Sequence, residues 1–167
     1  MASLSATPKN GRIKFSDGAG TPVTLVAPYT NGDFAESGDT NSTGHEVEVV
    51  YCRDVPVDLV TTKQSGKKLT FTALATMPGS TETIEDWIYS KGTYAALTTT
   101  APAGFMSLEK LYKVEWQVNI GGTWTTAKAY NYCHIRGNVK EGSPVGTVDI
   151  QIDAIACDGS WITITST

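Results

Sequence analysis

A chain of 167 residues with 40% apolar side chains is sized for one domain and can bury a sizeable core. Only 18% of its residues are charged and the formal charge is −4, which excludes holding nucleic acid by bulk attraction, because that rests on Lys and Arg neutralising phosphates. Passage of a polyanion without adhesion stays open.

The shortfall in charge is filled by Thr, Ser, Gly and Asn, which suit strands and turns. Residues 1–10 are small and polar, with Pro8 ahead of Asn10-Gly11, and read as an extended arm. "MASLSATPKNGRIKF" has no apolar run of signal-peptide length, and no later stretch is apolar for long enough to span a bilayer. Synthesis in a cytosol and no membrane partner are the expectations. "RIKF" and "TPVTLV" flank "SDGAG", whose glycines and aspartate favour a tight reversal, so this is a β-hairpin. "APYTNGDFAESGDTNSTGH" follows, a polar stretch that predicts a long loop over 30–45. Loops of that length inside a compact domain are uncommon and are usually functional or disordered.

"HEVEVVYCR" alternates, with Val47, Val49 and Tyr51 on the core side and Glu46 and Glu48 on the other. The short strand "VPVDLVTT" comes next, then a turn at Ser65-Gly66. "KLTFTALATM" directs Leu69, Phe71, Ala73 and Ala75 toward the core. In "PGSTETIEDWIYSKG" the period changes, because Ile84, Trp87 and Ile88 fall at helical spacing. Ser80 or Thr81 is the expected cap, Glu82, Glu85 and Asp86 suit the positive end, and Lys91-Gly92 suits the stop. "LYKVEWQVNI" sets Tyr112, Val114, Trp116, Val118 and Ile120 against Lys113, Glu115, Gln117 and Asn119. "IGGTW" turns the chain into "TWTTAKAYNYCHI", and "VGTVDIQIDAIA" and "WITITS" close it around Cys157-Asp158-Gly159. The count predicts a mainly β, single-domain protein over 1–167, an antiparallel β-sandwich or open barrel of seven to nine strands with one short α-helix.

Chemistry is sparse. Cys52, Cys133 and Cys157 are widely spaced and include no CxxC pair, which argues against structural zinc and for small buried hydrophobes in a reducing compartment. His134 neighbours Cys133 on one strand, so the two point to opposite faces and cannot pair as nucleophile and base. "SDGAGT" lacks the Lys of a phosphate-binding loop and does not precede a helix. Asp149 and Asp153 stand over ~13 Å apart at a strand rise of ~3.3 Å per residue. Glycosidase carboxyl pairs are closer, roughly 5–9.5 Å. No enzyme, metal or cofactor is expected. A glycan- or host-binding sandwich stays as an alternative, resting on Trp116, Trp124, Trp161, Tyr130 and Tyr132 as a stacking platform. A hydrolase using Cys and His from distant positions is a weaker one.

In "VGTVDIQIDAIA", Val148, Ile150, Ile152 and Ala154 share one face, and Asp149, Gln151 and Asp153 share the other. Glu46, Glu48, Glu115, Gln117 and Asn119 hold the same kind of position on other alternating strands, with Lys113 the one clear basic intruder. If these strands are neighbours, they form one predominantly acidic wall, a surface suited to repelling a polyanion at close range.

The order of parts resembles that of tail tube proteins of long-tailed bacteriophages, whose fold is shared by the tube protein of type VI secretion systems. An arm, the "RIKFSDGAGTPVTLV" hairpin, a long polar loop, the "HEVEVVYCRDVPVDLVTTKQSGKKLTFTALATM" strands, a helix at "TIEDWIYSK" and closing strands run in that order across nearly the whole chain. The resemblance implies a structural subunit of hexameric rings stacked into a hollow tube in a virion tail, its sheets joined edge to edge around a lumen. It implies tape-measure, tail-terminator and baseplate or tip proteins as partners, with double-stranded DNA passing without specific binding. On that reading Glu46, Glu48, Glu115, Gln117, Asn119, Asp149, Gln151 and Asp153 line the lumen. The arm and loop, too polar to fold back on this domain, carry contacts between subunits or rings at Leu4, Pro8, Asn31, Asp33, Phe34, Glu36, Asp39 and Asn41.

Overall fold

The computed structural model describes residues 11–28, 34–38, 45–64, 66–74, 83–105, 109–140, 146–156 and 159–165. The arm with Leu4 and Pro8, the loop positions Asn31, Asp33, Asp39 and Asn41, and Ser65, Ala75, Ser80, Thr81, Glu82, Cys157 and Asp158 lie outside them. The protein is mainly β and antiparallel, with one short helix.

Among the described residues the ten strands are β1 (Gly11–Ser16), β2 (Thr24–Pro28), β3 (Ala35–Ser37), β4 (His45–Cys52), β5 (Val55–Gln64), β6 (Lys67–Leu74), β7 (Tyr112–Ile120), β8 (Thr123–Lys140), β9 (Thr147–Ala154) and β10 (Ile162–Ile164). Eight of them form one sheet in the order β2-β1-β7-β8-β9-β6-β3, with β10 also on β8. The long strand β8 is the spine. Its first half pairs with β7, from Thr123 opposite Ile120 to Cys133 opposite Tyr112. Its second half pairs with β9, from Cys133 opposite Ala154 to Lys140 opposite Thr147.

The sheet curls over its own apolar face. Ile13, Phe15, Val114 and Tyr130 from the β1-β7-β8 side, and Leu69, Phe71, Ile150 and Ile152 from the β9-β6 side, are all buried. Phe15 and Phe71 stack across the two sides at 6.4 Å, and Phe34 stacks on Trp116 at 5.3 Å. Each large apolar side chain so buried contributes roughly 1.5–3 kcal/mol. This core explains the alternation in β6, β7 and β9.

The helix α1 (Ile84–Ile88) plugs one end of the core with Trp87, whose ring lies 6.0 Å from Phe15 and 5.3 Å from Tyr112. The cap is Thr83, not Ser80 or Thr81. Asp86 N–H donates to the Thr83 hydroxyl at 3.2 Å, and the Thr83 N–H donates back to the Asp86 carboxylate at 3.2 Å. This is a reciprocal capping box with an acid at its third position. Ile88 then packs on β8 at Gly137, where a Cβ would sit 2.5 Å from the Ile88 Cδ1.

Two expectations are corrected. Val49 and Tyr51 are not core: β4 and β5 pair only with each other, as a hairpin outside the main sheet. Val49, Val50, Tyr51, Val55 and Val57 are exposed along it. Its tip, Arg53-Asp54, has φ of 51° and 65°, the two-residue reversal with positive φ at both positions. Alternation reports that a strand has two different faces, not that its apolar face is covered by the same domain.

The long loop also folds back where it is described. Residues Ala35–Ser37 pair with β6, Ala35 opposite Thr70 and Ser37 opposite Lys68, so the loop carries an edge strand.

Candidate interaction surfaces

The row Asp149, Gln151, Asp153 points away from the core on β9, flanked by outward positions of β8 and β6. It faces a row of cations. Asp153 pairs with Arg136, and Asp149 with Lys140, both on β8. Each acid's directly opposite residue is two positions away, His134 for Asp153 and Asn138 for Asp149, so both ion pairs run along the same diagonal. Sheet twist brings one of the two diagonals of an antiparallel pair close. Gln151 Nε2 donates to Asp153 Oδ1 at 3.2 Å, and the Thr72 hydroxyl donates to Asp149 at 3.3 Å. The hydrogen bond from Lys140, against a small opposing effect of burial, holds the Asp149 carboxyl below its ordinary value. Lys68 of β6 adds a further cation opposite Asp153. The face surrounds a concavity of about 850 Å³, with Thr70, Thr72, Arg136, Asn138, Asp149 and Gln151 in its lining.

The expectation of one predominantly acidic wall is therefore overturned. Three separations account for it. Glu46 and Glu48 belong to β4, off the sheet. Glu115 lies opposite Ala129 and Asp149 opposite Asn138, nine positions apart on β8, or ~30 Å at the usual rise. Glu115 and Gln117 are also nearly inaccessible, at 9% and 7% exposure. Lys113 and Lys14 reach Glu115 at 2.9 and 3.3 Å. Burial pushes the Glu115 carboxyl up, but Lys113 and then Lys14 outweigh it and leave the group below its usual range. Arg12 Nε donates to Gln117 Oε1 at 2.8 Å while its guanidinium lies 4.1 Å from the Trp124 ring centroid. Asn119 ends this row at the β7-β8 turn, accepting from the Gly122 N–H at 2.9 Å.

Phe34 and Glu36, expected at subunit contacts, are engaged inside the domain. Glu36 accepts from Lys128 Nζ at 2.8 Å and from the Tyr130 hydroxyl, and Lys67 Nζ lies 3.3 Å away. Burial favours the neutral acid, yet these partners together hold the Glu36 carboxyl below its ordinary value. Burial and the bond to Glu36 push the Tyr130 phenol up. The clasp ties the edge strand β3 across the fold to β8.

Cys133 is fully buried, and burial drives its thiol well above its usual value. His134 sits on the opposite face with its Nε2 3.8 Å from Glu109. The aromatic platform is dispersed: Tyr130 and Trp161 are core, Trp116 is half-buried under Phe34, and Trp124 is exposed beneath Arg12. Among the described residues, no helix is long and apolar enough to cross a membrane.

The sheet also has open edges among the described residues. β2 and β3 end the strand order, and residues 134–140 of β8 pair with β9 alone. Comparison with known families and with curated proteins gives no match to the chain.

Proposed function

We propose that this protein is a structural subunit that assembles with copies of itself into rings stacked as a hollow tube, of the phage-tail kind, with DNA passing through. The observation that carries this reading is the β4-β5 hairpin. Among the described residues it pairs with no other strand, yet it exposes Val49, Val50, Tyr51, Val55 and Val57 around its turn. A lone two-stranded hairpin is marginally stable in water, and an apolar projecting surface of this kind suits burial against another chain. The open edges of β2, β3 and β8 are the second support, because edge pairing between copies satisfies them. A contact of one surface with a different surface on the next copy closes into a ring or extends into a tube, according to the rotation it imposes.

The outer face of β6, β9 and the second half of β8, with Asp149, Gln151 and Asp153, is the wall we assign to the lumen. It is polar, and its acids and cations are tied to one another. Glu115 and Gln117 serve instead to hold β1 on β7.

The test is sedimentation velocity over a concentration series. Wild-type protein forms species far larger than a monomer, and Tyr51→Lys/Val57→Lys abolishes them while leaving the circular dichroism of the β domain unchanged. Monomeric wild-type protein at every concentration contradicts the reading.

A further inference from the structure

We propose that Asp149 and Asp153 act as built-in counterions, occupying Lys140 and Arg136 so that the outer face of β9 and β8 does not grip a nucleic-acid backbone. The choice of nucleic acid as the passing polyanion rests on the tube reading above; the masking itself rests on geometry. Among the described residues of β6, β8 and β9, the face carries Lys68, Arg136 and Lys140 against Asp149 and Asp153, with Glu109 beside His134 at its end. Bare, these cations form an adhesive patch, since cations that neutralise phosphates release counterions and gain affinity. Paired, Arg136 and Lys140 are each held by an acid of the neighbouring strand that cannot diffuse away.

The arrangement has little to do with stability. Arg136 and Lys140 are more than half exposed as side chains, at 56% and 63%. Exposed ion pairs of this kind add little to folding stability, so their main physical consequence is the local field. Both pairs use the same diagonal, and the neutral Asn138 and Gln151 lie on the parallel diagonal between them.

The experiment is fluorescence anisotropy of a labelled DNA duplex titrated with dispersed protein at low salt. Asp149→Asn/Asp153→Asn binds the duplex at least tenfold more tightly than wild type, with the salt dependence steepened by up to about two in log–log slope per subunit. Either substitution alone gives an intermediate gain. Adding Arg136→Gln/Lys140→Gln to the double variant removes the gain. Glu48→Gln/Asp54→Asn makes the same change in net charge on the hairpin and leaves binding at the wild-type level. A folded Asp149→Asn/Asp153→Asn protein with no gain overturns the proposal, as does an equal gain in the hairpin control. Tube formation is scored separately on wild-type protein, so its failure refutes the assembly reading and leaves the masking result standing.

Discussion

Glu36 shows how one residue's chemistry sets the reach of a loop. Its carboxylate meets Lys67, Lys128 and Tyr130, and Lys67 is only 8% exposed, so removing the acid takes one partner from each of three donors at a largely buried place. Glu36→Ala is expected to cost about 1–3 kcal/mol in urea unfolding. The pH dependence follows from the sign of the shift. The folded carboxyl titrates below its ordinary 4.5, so its contribution is fully present above that value and is lost as pH falls through the folded one. Glu36→Gln therefore lowers stability at neutral pH and flattens the acid limb below pH 4.5. An unchanged acid limb contradicts the clasp. Because β3 is pinned this way, shortening the loop through Phe34 and Glu36 also removes part of the fold.

At the scale of elements, β8 decides what could be read from the sequence. The alternation in "VGTVDIQIDAIA" marks β9 and its core face, where burial follows a period of two. In "LYKVEWQVNI" it marks the strand β7, but burial holds to the expected face only at Tyr112 and Val114, while Glu115 and Gln117 are buried on the other face and Ile120 is exposed. "TWTTAKAYNYCHI" is only part of its strand: β8 runs on through "RGNVK" to Lys140. A strand ending at Ile135 leaves out the row Arg136, Lys140. Gly137 is there for space, since Ile88 of α1 occupies the place of its side chain. Contact between a helix and a strand fifty residues apart leaves no local signal. With Arg136 and Lys140 unread, the acids of β9 looked uncompensated. The hairpin was legible as two strands, but nothing in its pattern tells an own-domain core from a surface awaiting a partner. Gly137→Ala tests the packing. Its Cβ would also meet Val148 Cγ1 at 2.9 Å, so Ile88 and Val148 must shift and stability should fall by about 1–3 kcal/mol in thermal or urea unfolding. A neutral substitution contradicts the contact.

At the scale of the whole molecule, a closed core and an unfinished surface coexist. The aromatic cluster around Trp87 and the strands of the main sheet supply a self-sufficient domain. Among the described residues, the hairpin, the open strand edges and the self-paired polar face stand outside that core, and on the proposed reading they are the surfaces of an assembly. Replacing residues 47–62 by a short Gly-Ser linker should accordingly leave the unfolding midpoint of the main domain within a few degrees of wild type while abolishing large species in sedimentation. A collapse of the domain itself places the hairpin in its stability instead. The most direct measurement is negative-stain electron microscopy of concentrated wild-type protein. The account predicts hollow tubes of stacked rings with a stain-filled lumen; a field of uniform, monomer-sized particles at every concentration contradicts it.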